Sequence, residues 1–305
     1  MTEICAGIDI GGTNSVFGLV DRSGKIFYKG NLSTSKYEKA DKFVTDISKE
    51  IRKSLPNEMK LVGVGIGAPN GNYFNGTIEF APNLKWKGVI PLAKYFEENL
   101  NVKTLLTNDA NAAAIGEMIF GAAKGIKDFL FITLGTGLGS GIVAGGELIY
   151  GADSFAGEIG HVIMYEDGRV CGCGRRGCLE TYCSATGIVT TFKELSKNSE
   201  LEITSKEIFD LAAEGNAIAI ESFNYTGKIL GIALANSVVY TSPAKIFLFG
   251  GLAQAGKLIF KPTRKAFEEN LLSIWKNKIP ILPSGLDEND AAILGAASLV
   301  WKEIN

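Results

Sequence analysis

Apolar residues along this chain gather into short, nearly unbroken runs, each closed by glycines or by small polar residues. Between the runs lie longer stretches in which apolar positions recur every three or four residues. The first pattern predicts buried strands and the second amphipathic helices. Residues 4–10 read as a strand that ends in Asp9-Ile10-Gly11-Gly12-Thr13-Asn14, followed by strands over 15–20 and 25–30 across the turn Asp21-Arg22-Ser23-Gly24. A helix is predicted over 36–55, a strand over 61–67, a helix over 91–100, a strand over 103–107 and an alanine-rich helix over 110–121. Strand and helix in alternation argue for an α/β sheet.

The pattern then starts again. Residues 128–134 form a strand that ends in Gly135-Thr136-Gly137-Leu138-Gly139-Ser140-Gly141, followed by a second strand, the pair Gly145-Gly146 and a third strand over 147–150. Asp9-Ile10-Gly11-Gly12-Thr13 superposes on Thr133-Leu134-Gly135-Thr136-Gly137, and Gly18-Leu19-Val20 on Gly141-Ile142-Val143 with one residue of offset. Further on, the strand 244–249 with Gly250-Gly251 and a helix echoes the strand before Asn108-Asp109 and its helix. Helices are also predicted over 181–197, 205–213, 217–239 and 289–301. A repeat of about 120 residues is far longer than a solenoid period and implies two copies of one α/β domain with a cleft between them. The expected division is 1–120, with the last helix (289–303) packing back onto it, and 121–288.

A chain of 305 residues is long enough for two such cores. With 46% hydrophobic and 21% charged residues the composition is that of an ordinary soluble protein. A net charge of −2 gives no electrostatic footprint for nucleic acid. No apolar run is long enough to span a bilayer, and the first residues lack the basic and apolar parts of a signal peptide, so a cytoplasmic location is expected.

One segment is chemically dense. Residues 157–180 hold the only histidine, His161, and three of the five cysteines, Cys171, Cys173 and Cys178, with Glu158 and Glu180 at the two ends. One imidazole and three thiols in so short a span suit a closed tetrahedral zinc site that would fix the two acids near one another. A disulfide fits poorly, since Cys171 and Cys173 are too close in sequence to pair easily. Unligated thiols packed as small apolar groups are the other alternative. Reduced thiols again suit the cytoplasm.

The two glycine loops at duplicated strand ends suit a phosphate grip, because glycines let backbone N–H groups approach anionic oxygens. Neither is a Walker loop. Asp9, on the first of them, could hold a Mg²⁺ that keeps most of its waters. Asn108-Asp109-Ala110-Asn111 lies between a strand and a helix. It reads either as a helix cap or, with Asp109 at the end of a strand where open α/β sheets bind ligands, as the base that accepts a proton from an attacking hydroxyl.

Taken together, Asp9–Thr13, Asn83-Leu84-Lys85-Trp86, Asn108–Asn111, Leu134–Gly141, Gly157–His161, the Cys171–Glu180 run and Gly250-Gly251 resemble the ROK family of repressors and sugar kinases over the whole chain. The resemblance implies an actin-like ATPase (ribonuclease H-like) fold and the ATP- and Mg²⁺-dependent phosphorylation of a hexose at its 6-hydroxyl. Glucose is favoured over an N-acetylhexosamine or fructose. It further implies Asp109 as the base and Asn83, Asn108, Glu158, His161 and Glu180 as sugar ligands, with His161 also on zinc. Gly11, Gly12, Thr13, Gly135, Thr136 and Gly137 would hold the phosphates, Gly250 and Gly251 would lie near the adenosine, and the chain would form a homodimer. A non-catalytic sugar-sensing regulator is the reading from another class. A repressor would need a helix-turn-helix ahead of the first strand, for which residue 4 leaves no room.

Overall fold

The computed structural model describes residues 1–304, which fall into two compact units. Unit 1 comprises Met1–Ile126, Leu148–Ala156 and the chain from Gly285 onward; unit 2 comprises Lys127–Glu147 and Gly157–Ser284.

In unit 1 the chain runs through β1 (Thr2–Ile10), β2 (Ser15–Val20), β3 (Ile26–Leu32), α1 (Ala40–Ser54), β4 (Met59–Gly67) and the short strands β5 (Gly71–Asn72), β6 (Thr77–Glu79) and β7 (Val89–Ile90). It continues through α2 (Leu92–Leu100), β8 (Thr104–Thr107) and α3 (Asp109–Ile119). The main sheet has the order β3-β2-β1-β4-β8, in which β1, β2 and β3 are antiparallel neighbours and β4 and β8 run parallel to β1. Apolar side chains of β1 and β4, among them Ile4, Ile8, Val64 and Ile66, join Phe43, Val44 and Ile47 of α1 and Phe96 of α2 in one core.

Unit 2 repeats the plan with β9 (Phe129–Leu134), β10 (Leu138–Ala144) and β11 (Glu147–Leu148), then α4 (Glu180–Cys183), α5 (Ala185–Ser196), α6 (Ser205–Ala213) and α7 (Ala217–Thr241). β12 (Lys245–Phe249), α8 (Lys257–Asn270) and β13 (Ile281–Pro283) complete it, in the order β11-β10-β9-β12-β13. Gly145 and Gly146, both at positive φ (61° and 85°), make the tight turn from β10 to β11. A last helix, α9 (Ala291–Ile304), lies in unit 1 against β1, β4 and α3. It sits so close that a Cβ on Gly65 would stand 1.9 Å from the Ala296 carbonyl oxygen, and one on Gly7 2.2 Å from that of Ile293.

The two sheet orders bear out the duplication and correct one of its details. Ile10 pairs with Ser15 as Leu134 pairs with Leu138, so the two glycine loops are equivalent. β12, however, neighbours β9 as β4 neighbours β1. Gly250-Gly251 therefore corresponds to the end of β4, and the counterpart of Asn108-Asp109 is the link from β13 to α9. A pattern of strand, small residues and helix carries no record of which neighbour the strand pairs with. Two helices also differ from expectation. Thr34–Lys36 form a 3₁₀ turn and α1 begins only at Ala40, because Ser35 N–H donates to the Thr13 carbonyl at 3.2 Å and the Tyr37 carbonyl accepts Trp86 Nε1 at 3.0 Å. The helix expected over 181–197 breaks at Ser184, whose extended backbone and side chain cap α5 by accepting from Gly187 N–H.

Candidate functional site

In unit 1, Asp9 and Asp109 converge on Gly67. A Cβ there would lie 3.4 Å from Asp9 Oδ1 and 3.5 Å from Asp109 Cα, so the glycine at the end of β4 leaves room beside the Asp9 carboxylate and the start of α3. Asn108 is the N-cap of α3, its Oδ1 accepting Asn111 N–H at 2.7 Å, and Asp109 Oδ1 accepts Ala110 N–H at 2.8 Å. Capping and presentation of an acid are thus combined here: the Asp109 residue reaches the surface while its carboxyl is crowded by protein. Burial, and then the charge of Asp109, push the Asp9 carboxyl up to about 7. The Asp109 carboxyl is also raised, by burial, against the opposing N–H donors of Ala110 and its own backbone. Two acids held against their preference for ionisation form a donor set that a divalent cation would relieve, which fits Asp9 to a Mg²⁺ role.

The Gly11–Asn14 loop is closed by Gly11 N–H donating to the Asn14 carbonyl at 3.1 Å, and Thr13 is exposed. A Cβ on Gly12 would stand 2.5 Å from the Asn83 carbonyl, so the loop and Asn83 lie against one another. Asn83 is itself exposed, while Leu84 and Trp86 anchor its segment in the core.

In unit 2, Gly135-Thr136-Gly137 bridge the ends of β9 and β10. Gly135 N–H donates to the Gly137 carbonyl at 3.1 Å, and the start of α5 buttresses the loop: Ala185 N–H donates to the Gly135 carbonyl at 2.8 Å and Thr186 Oγ1 to that of Thr136 at 2.9 Å. Gly250, at φ 97°, packs against Leu134, whose carbonyl accepts Leu252 N–H at 3.2 Å. The Gly135–Gly137 loop and the Gly250-Gly251 turn are therefore neighbours. A Cβ on Gly135 or Gly251 would meet no protein atom within 4 Å, and neither has a positive φ. Packing therefore does not demand glycine at either position.

The zinc reading fits the geometry. One ligand atom from each of His161, Cys171, Cys173 and Cys178 lies within 4.8 Å of the others. Cys173 Sγ is 3.7 Å from Cys178 Sγ, and Cys171 Sγ 3.7 Å from His161 Nδ1. The edge of a tetrahedron around zinc is about 3.8 Å for Zn–S bonds near 2.3 Å. Burial pushes the Cys173 thiol up, but the backbone N–H and guanidinium of Arg175 outweigh it and hold the thiol at about 6, so a thiolate is available at neutral pH. His161 closes a 3₁₀ turn (Ile159–His161) pressed onto β10, where a Cβ on Gly160 would stand 2.2 Å from the Leu138 carbonyl. Nδ1 faces the thiols, leaving Nε2 for another partner. Glu180 Oε1 accepts from Cys171 Sγ at 2.9 Å and lies 3.6 Å from His161 Nδ1, while its other oxygen would stand 2.9 Å from a Cβ on Gly137. One acid thus lies beside both the histidine–cysteine cluster and the Gly135–Gly137 loop. Glu158 sits exposed on the turn before His161.

Gly67 and the Ser184–Thr186 brace were not legible in the sequence. A glycine in an apolar run and a serine in a helical one carry no signal until their neighbours are known.

The model of the ROK family matches residues 5–303. A glucokinase of Halalkalibacterium halodurans is 36% identical over 98% of this chain and 95% of that protein, and a glucokinase of Thermotoga maritima 33% identical over 98% and 97%. Among solved structures, a ROK-family glucokinase from Streptomyces griseus in complex with glucose and AMPPNP superposes with a TM-score of 0.81 at 33% identity, covering 97% of this chain and 98% of that one. The fold is accordingly that of the actin-like ATPases.

Proposed function

Because this chain belongs to the ROK family, we propose that it is an ATP-dependent hexose kinase that phosphorylates the 6-hydroxyl, with glucose as its preferred sugar. The observation that carries the reading is Asp109, a carboxylate fixed at the first turn of α3 beside Gly67 and close enough to Asp9 for its charge to raise the Asp9 carboxyl. Asp109 accepts the hydroxyl proton as the sugar oxygen attacks the γ-phosphorus; the bond to the β-phosphate oxygen breaks and ADP leaves. Asn83, Asn108, Glu158, His161 and Glu180 hold the remaining hydroxyls, and His161 Nε2 is the ring nitrogen available for that task. Backbone N–H groups of Gly11–Thr13 and Gly135–Gly137 bind the phosphates, Asp9 would hold the magnesium that accompanies ATP, which would offset phosphate charge, and Gly250-Gly251 face the nucleoside. Zinc, when bound by His161, Cys171, Cys173 and Cys178, supplies a rigid frame for Glu180 and His161 and takes no part in the transfer.

The test is a panel of glucose, fructose, N-acetylglucosamine and N-acetylmannosamine with MgATP, ranked by kcat/KM. Glucose should lead. A different leader revises the sugar, and no turnover of any hexose sinks the kinase reading in favour of a sugar-responsive regulator. A homodimer and a cytoplasmic location accompany this reading, the first checked by light scattering of the purified protein.

A further inference from the structure

The loop between His161 and Cys171 contributes a residue that the kinase reading leaves without a role. Arg169 is an arginine whose side chain is 13% exposed, and every N–H of its guanidinium is used. Nη1 donates to the Thr181 carbonyl at 2.6 Å and to the Gly187 carbonyl at 3.1 Å. Nη2 donates to Thr191 Oγ1 at 2.9 Å and to Glu194 Oε2 at 2.5 Å, and Nε to Glu194 Oε1 at 3.0 Å. The plane of the group lies over the Tyr182 ring, 4.5 Å from its centroid, and the Arg169 backbone N–H donates to the Tyr182 hydroxyl at 3.0 Å. The Arg169 carbonyl in turn accepts Gly177 N–H at 2.7 Å, one residue before the ligand Cys178.

These bonds join two things that the fold must keep in register. Thr181 immediately follows Glu180 in the four-residue helix α4, too short to satisfy its own C-terminal carbonyls, and Gly187 lies beyond the break at Ser184. A guanidinium holding a carbonyl on each side of that break fixes the angle of the elbow between α4 and α5. The elbow presents Glu180 to the zinc ligands, and its far side braces the Gly135–Gly137 loop through Ala185 and Thr186. We propose that Arg169 is a positioning residue for sugar binding: it ties the zinc loop to the α4–α5 elbow and so sets where the Glu180 carboxylate stands. This rests on the reading of Glu180 as a sugar ligand. The carbonyl bonds do the positioning, and the ion pair with Glu194, whose side chain is 55% exposed, contributes little.

The experiment compares Arg169→Ala, Arg169→Lys and Glu194→Gln with the parent by steady-state kinetics, zinc content per chain, thermal melting and hydrogen exchange of the segment 178–187. Loss of an outer partner at a metal-supported site typically costs about 10–100-fold. Arg169→Ala should raise KM for glucose at least about tenfold, leave KM for ATP within about threefold, keep one zinc per chain and speed exchange in 178–187. Arg169→Lys keeps the charge and the stem but lacks the fork, and should move the same quantities in the same direction. Glu194→Gln should stay within about twofold of the parent. A parental KM for glucose in both arginine variants overturns the proposal, as does a rise in both KM values in step with lost zinc or a collapsed Tm. If the parent itself turns over no hexose, the kinase reading has failed, and exchange in 178–187 then decides the bracket alone, parental protection in Arg169→Ala overturning it.

Discussion

Asp109 and Asp9 share one small volume, and their roles separate by experiment. Asp109→Asn keeps the side-chain oxygen that accepts Ala110 N–H but cannot take a proton. A positioned base contributes about 10²–10⁴-fold, so kcat should fall at least a hundredfold while calorimetric glucose affinity stays close to that of the parent; kcat within threefold of the parent removes Asp109 from this role. Asp9 makes a prediction about stability. Its carboxyl titrates near 3.9 in an unfolded chain and at about 7 in the fold. Between those values the folded state keeps a proton that the unfolded state has lost, so stability falls as pH rises from about 4 to 7, and the penalty is complete above 7. In magnesium-free buffer Asp9→Asn should therefore raise Tm at pH 8 and leave it nearly unchanged near pH 4, while in MgATP assays the same variant should lose turnover. An equal gain at both pH values would show that ionisation is not the cause. His161 and the three clustered cysteines were legible in the sequence because few other roles use those residue types at that spacing. Arg169 was not, because a buried, fully bonded arginine looks like any surface arginine until its partners are known.

The elements were legible where they are long and periodic. β2 and α6 stand at the expected residues. β5–β7 and β13 are two or three residues each, below the length at which any period shows, and the breaks in the two helices arise from tertiary hydrogen bonds. Two elements invite tests. Cys173→Ala removes a proposed zinc ligand from the loop carrying Glu180 and His161, so hexose binding should vanish while ATP binding, which the proposed function assigns to the glycine loops, should persist. Elemental analysis should find close to one zinc per parental chain; absence of the metal, or a parental KM for glucose in Cys173→Ala, would undo the zinc reading. Helix α9 lies on bare backbone at Gly65. Gly65→Ala drives a methyl into the Ala296 carbonyl and should cost about 1–3 kcal/mol of stability through overpacking, read as a lower Tm.

At the scale of the molecule, each unit has its own apolar core, and the zinc ligands belong to unit 2. Two cores need not melt together. In a Trp275→Phe background the remaining tryptophans, Trp86 and Trp301, both report on unit 1. Chelation should then lower one calorimetric transition and leave the tryptophan-detected one in place; a common downward shift would show a single cooperative system. The placement of α9 has a consequence for synthesis. Lys127–Ser284 is translated between the strands of unit 1 and the helix that covers Gly7 and Gly65. At about 5–20 residues per second that is a wait on the order of ten to thirty seconds. During it, a glycine-lined stripe of β1 and β4 has no cover, while unit 2 already has nearly all of its own chain. Nascent chains arrested after unit 2 should yield a protease-resistant fragment from unit 2 and none from unit 1. The unit begun first on the ribosome is the one finished last, and the stripe that α9 will cover faces water until then.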